Sequence, residues 1–145
     1  MFVAANKGDT ESINELIEKK VNLDSANYHG WSALIYSANN DHVEVVRLLI
    51  SAGANKDLVD QDGATALVHA VRKGNVETVK ELIKAGANIE TKCDRMTPIM
   101  YACRFGYVDI VKELIKAGAD IETKGIHGMT PIMVACEQAD VEIVK

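Results

Sequence analysis

The sequence predicts an all-α solenoid: antiparallel helix pairs stacked in a row, with β-hairpin loops projecting between them. Three observations predict it. The segments Ala52-Gly53-Ala54-Asn55, Ala85-Gly86-Ala87-Asn88 and Ala117-Gly118-Ala119-Asp120 place their glycines 33 and 32 residues apart. Ser32, Thr65, Thr97 and Thr130 follow at spacings of 33, 32 and 33. Valine-bounded clusters with an acid at their second position recur at 43–46, 76–79, 108–111 and 141–144. All three markers share one period, with a single-residue deletion between Gly86 and Thr97. Such a period is the mark of a stack of supersecondary units, each touching its neighbours. The chain reads as one array over 1–145, with units at about 1–26 (partial), 27–59, 60–92, 93–124 and 125–145 (partial).

Each unit opens on a first helix at Ser32, Thr65, Thr97 or Thr130, whose hydroxyl can accept from free N–H groups of the first turn. Pro98 and Pro131 follow at the first helical position, where a missing donor costs nothing. Ala70, Ala102 and Ala135 share one place in this helix, and small side chains there allow close approach of neighbours. The second helix carries one apolar stripe, seen in Val76, Val79, Leu82 and Ile83. An acid (Glu11, Glu44, Glu77, Asp109, Glu142) falls in its first turn, at the positive end of the helix dipole. Lys84 and Lys116 fall in the last turn, and Gly53, Gly86 and Gly118 end the helix in the left-handed conformation. Connections such as 55–63 are too short for a third helix and contain Asp-Gly or His-Gly pairs suited to tight turns. Neither helix can bury its apolar side alone, so the units must stack.

These residues resemble the ankyrin repeat. Gly128-Met129-Thr130-Pro131-Ile132, Ala70-Val71-Arg72-Lys73-Gly74 and Gly118-Ala119-Asp120-Ile121 match its turn glycine, Thr-Pro run, helix end and closing Gly-Ala-Asp. The resemblance covers essentially the whole chain. It implies a gently curved stack with hairpins at roughly right angles, acting as a protein-binding scaffold without catalysis. Where the family places a histidine after Thr-Pro-Leu, this chain has Ile35, Val68, Met100 and Met133. Apolar packing is therefore expected in place of hydroxyl–histidine hydrogen bonding. The shortened turn Cys93-Asp94-Arg95-Met96 lacks the glycine and is expected to deviate from the other hairpins. The chain begins within a first helix and ends within a second, and 10 of 16 residues match between 97–112 and 130–145. A piece of a longer array is the expectation.

Composition bounds the chemistry. Apolar residues are 48% and charged residues 26%, as in a globular protein, while a net charge of -5 disfavours nucleic acid and anionic membranes. No apolar run approaches about 18 residues, so no membrane insertion is expected, and the opening residues do not read as a signal peptide. A cytoplasmic location follows as an expectation. The chain is expected to be monomeric or part of a longer polypeptide. Three cysteines do not form a disulfide framework. Cys103 and Cys136 fall at a buried position of the first helix, whereas Cys93, in the shortened turn, is expected to be exposed and oxidisable. His29, His42, His69 and His127 form no zinc-binding pair, and no phosphate loop or nucleophile elbow occurs. In the acidic run Asp60-Gln61-Asp62-Gly63, the first and twelfth calcium-loop positions would be Leu58 and His69, which excludes that site. No enzyme, cofactor or metal is expected.

The resemblance places partner contacts on the hairpin tips and the open part of the first helix. Unit by unit these are Tyr28, His29, Trp31, Asn39 and Asn40; then Gln61, Asp62, Ala64, Arg72 and Lys73. They continue with Asp94, Arg95, Met96, Arg104 and Phe105, and with Ile126, His127, Met129, Glu137 and Gln138. Aromatic and arginine side chains dominate interface energies. Trp31, Arg72, Arg104 and Phe105 are expected to form one strip, with Lys80 and Lys112 on the opposite side. For Trp31 and Phe105, packing on the next hairpin is an equally open reading, and for His29 and His127 a solvated turn is the favoured one over partner contact. Another protein is the expected partner. The alternatives are a structural spacer, or the regulatory array of a larger enzyme or channel.

Overall fold

The computed structural model describes residues 1–137. Glu142, Gln138 and the 141–144 cluster lie outside the described residues. Among the described residues the helices are α1 (Phe2–Lys7), α2 (Thr10–Glu18), α3 (Ala33–Asn39), α4 (Val43–Ser51) and α5 (Ala66–Lys73). They continue as α6 (Val76–Lys84), α7 (Pro98–Phe105), α8 (Val108–Lys116) and α9 (Pro131–Glu137). The first helices α1, α3, α5, α7 and α9 pack each on the next, and so do the second helices α2, α4, α6 and α8. The core runs between these two layers, with Ala70, Ala102 and Ala135 fully buried where first helices meet. Leu49, Leu82 and Leu114 fill the same depth on the second-helix side.

The hairpins are reduced to single bridges, Ala26 with Ser32 and Cys93 with Met96. The shortened hairpin deviates as the sequence predicts. Cys93 N–H donates to Met96 O (3.0 Å) and Met96 N–H returns to Cys93 O (2.9 Å), leaving only Asp94 and Arg95 in the loop. Both loop residues are left-handed, at φ 50° and 63°, as a two-residue hairpin demands.

Polar contacts across the seams repeat with the period. His42 Nε2 donates to Asn6 O, Asn75 Nδ2 to Ala38 O and Asn39 O, and Tyr107 OH to Arg72 O. Each donor stands just before a second helix and satisfies carbonyls that the previous first helix leaves free. On the hairpin side, Asp24, Asp57 and Glu90 each accept the backbone N–H of Asn55, Asn88 or Asp120 in the following unit, all at 2.8 Å. Gly8, Gly74 and Gly106 are left-handed between the helices of their units, and Asp41 (φ 58°) is the departure. Its carboxylate accepts the Thr78 hydroxyl of the next unit at 2.7 Å, an interaction glycine would forgo.

Three expectations fail. Ser32 and Thr65 cap their helices through Ile35 N and Val68 N at 3.3 Å, but Thr97 and Thr130 do not. In both Thr-Pro units the hydroxyl is buried without a partner among the described residues. Cys93 is 1% exposed rather than open, because it opens its hairpin at the inward-packed place that Asp60, 6% exposed, holds in the hairpin before. Its thiol donates to Asp62 O, and burial pushes its pKa up, away from the reactive thiolate. Cys136 is exposed where its equivalent Cys103 is buried, because α9 covers the outer side of α7 and no described element packs beyond α9.

An orphaned buried hydroxyl opposes folding. Thr97→Val should therefore leave the melting temperature unchanged or raise it, whereas Thr65→Val removes a working cap and should cost about 1 kcal/mol. Thermal melts followed by circular dichroism test the pair. Equal losses at the two positions would contradict this account of Thr97.

Candidate functional site

The first helices and the hairpin tips lie on one side of the stack, because each hairpin leads directly into the first helix it precedes. Asn27 and Asp60 shape two of these hairpins alike. Asn27 Oδ1 accepts the N–H groups of His29 and Trp31, and Asp60 Oδ1 those of Asp62 and Ala64. One position of the following helix then reaches back to the hairpin. It is Tyr36, which accepts from Asn27 Nδ2 at 2.8 Å, then His69, then Tyr101. His69 Nε2 donates to Asp60 Oδ2 at 2.7 Å, and Tyr101 OH donates to Cys93 O at 2.9 Å. These anchoring residues were not among the sequence-derived candidates, although their spacings of 33 and 32 are the period itself.

The structure divides the expected contact residues into free and engaged groups. Tyr28 is 80% exposed at its hairpin tip, ring to ring with His29 at 3.9 Å. Gln61 is also exposed and donates to Tyr28 O, joining successive tips. Asp62, Lys73, Asp94, Arg95, Arg104, His127 and Glu137 face solvent. Phe105 is 47% exposed and stacks on Tyr101 at 6.4 Å while touching Tyr107 at 5.8 Å. Ile126 and Met129 are half-buried against the core. Gln138 lies outside the described residues.

Six of the expected contact residues are buried or engaged within the chain. Trp31 is half-buried, edge-on to Tyr36 at 5.0 Å and to His69 of the next unit at 4.6 Å, so it seals a seam. Ala64 and Met96, which close their hairpins, are 0% and 5% exposed. Asn39 and Asn40 hold seams: Asn39 O accepts from Asn75, and Asn40 Nδ2 donates to Asn6 O and Asn6 Oδ1. Arg72 is half-buried and engaged within the chain. Its guanidinium lies 4.5 Å from the Tyr101 ring centre and donates to Tyr101 Oη (2.6 Å), Asp94 Oδ2 (3.1 Å) and Cys93 Sγ (3.1 Å). The strip of Trp31, Arg72, Arg104 and Phe105 is thus reduced to Arg104 and Phe105.

Between the fourth and fifth units a cleft of about 300 Å³ opens on this face. Met96, Met100, Ile126, Met129 and Val134 supply its apolar lining, and Arg104, His127 and Glu137 its polar edge. No group of three or more metal-ligating side chains occurs among the described residues. No helix among them is long and apolar enough to cross a membrane.

The family model for ankyrin repeats (3 copies) matches residues 1–93, 48–125 and 88–145. Among curated proteins no match is found.

His69 generates a pH dependence. Burial pulls its pKa below the ordinary value, and the Asp60 carboxylate offsets part of that shift. A base with a depressed folded pKa binds fewer protons folded than unfolded. The stability it contributes is present above the unfolded value of about 6.5 and is lost as pH falls through the folded value. Lowering the pH from about 7.5 to about 5.5 should lower the melting temperature, and His69→Gln should flatten that response. A melting temperature that rises over the same interval would reverse the sign assigned to His69.

Proposed function

The chain belongs to the ankyrin repeat family, and on that premise we propose that it binds one partner protein through its hairpin tips and first-helix face. Ankyrin repeats are generally protein–protein interaction modules, and their domains are generally non-catalytic. The proposal is narrower: a scaffold whose own residues perform no catalysis and whose contacts concentrate on one side. The observation that carries it is the set of side chains left open there. Tyr28 and Phe105 stand 80% and 47% exposed. Lys73, Arg95 and Arg104 accompany them, and none is engaged in an ion pair among the described residues.

On a chain of net charge -5, a local cationic set with aromatic neighbours favours a partner segment that is both acidic and apolar. Charge steers the encounter, and the rings supply buried area once contact is made. Trp31 belongs to the support, since its indole holds the hairpin of residues 27–31 against His69.

Affinity capture from cells of the source organism tests the reading. Phe105→Ser combined with Arg104→Glu should weaken capture of a stoichiometric partner at least tenfold, about 1.4 kcal/mol, at unchanged helix content. Lys80→Ala with Lys112→Ala, on the second helices, should bind normally. Loss of capture in the lysine pair with retention in the Phe105 pair would move the interaction to the second-helix side.

A further inference from the structure

The seam between the third and fourth units shows what an arginine at the end of a first helix binds. Arg72 lies on the Tyr101 ring and bonds its hydroxyl and the Asp94 carboxylate. Arg104 ends α7 at the equivalent place, 32 residues on. In the seam it faces, Val134 stands where Tyr101 stood, and Ile126 and His127 stand where Asp94 stood. The ring, the hydroxyl and the carboxylate are all gone. Among the described residues the one hydrogen-bond contact of Arg104 is the Met96 thioether at 3.9 Å, and no carboxylate pairs with it. The missing ring corresponds to the cleft of about 300 Å³ floored by Met96, Met100, Met129 and Val134.

We infer that this cleft is a socket for an aromatic side chain flanked by a carboxylate, presented by a segment of a partner protein. The inference rests on the reading of this face as a protein-binding surface. The partner supplies in trans what Tyr101 and Asp94 supply within the chain: a ring against the guanidinium and the polarisable methionines, and an acid to pair with it. Glu137 also borders the cleft and repels that acid, which gives the assignment a signed consequence.

The probe is an acetylated, fluorescein-labelled heptapeptide carrying one tyrosine between two aspartates, titrated with the whole chain by fluorescence anisotropy. Saturable binding is expected. Arg104→Gln, or asparagines in place of the peptide's aspartates, should weaken it at least tenfold, and Glu137→Gln should tighten it. Val134→Tyr with His127→Asp rebuilds the arrangement around Arg72 within the chain. That double variant should abolish peptide binding and raise the melting temperature. If it fails to fold, Arg104→Gln, an exposed change, still decides. Absence of saturable binding, or binding unchanged by Arg104→Gln, overturns the socket. A chain that captures its partner protein but ignores the heptapeptide loses the socket and keeps the proposed function. Failure of both overturns both.

Discussion

Coverage of each unit by its neighbour is the constraint on which everything else depends. A six- to nine-residue helix is too short to be stable alone in water, where isolated helices become marginal below about 12–15 residues. Stability comes from packing the alanine row of one first helix on the next, and the leucine row of one second helix on the next. The polar groups follow the same rule. The hydrogen bonds from His42, Asn75 and Tyr107, and those accepted by Asp24, Asp57 and Glu90, all cross from one unit to an adjacent one. Apolar and polar contacts therefore enforce one register.

The proposed binding cleft sits where this regularity lapses. A seam can be closed by a ring, as Trp31 closes one on His69, or by a cation, as Arg72 closes another on Tyr101. At the seam after the fourth unit the closing residue is Val134, too small to fill the space and without a polar atom to hold Arg104. A repeat protein can open a binding cleft in this way by a few substitutions at seam positions, because no other unit depends on them directly.

The fold was legible in the sequence because its signals recur. The Gly-Ala segments, the opening Ser and Thr residues and the first-turn acids each announce an element several times, so one weak signal is checked by the next. The site was only partly legible. Position within the repeat correctly put Tyr28, Lys73, Arg95, Arg104 and Phe105 in solvent, since exposure follows the helix face. It could not say that Arg72 would be engaged and Arg104 free. That difference lies in the next unit, at Tyr101 against Val134, and appears only when contacts are traced across seams. Met96 and Cys93 were misplaced because the residues flanking a hairpin turn are packed inward, as Ala64 and Asp60 are in the full-length hairpin before it.

The central claim is that stability passes only between adjacent units, and native-state hydrogen exchange after one core substitution tests it most directly. Leu114 is fully buried in α8, and Leu114→Ala should cost about 2–5 kcal/mol there. Exchange should accelerate through α7, α8 and α9, and less in α5 and α6, while α1 and α2 keep their rates. Equal acceleration from α1 to α9 would show a single cooperative core and contradict the nearest-neighbour account.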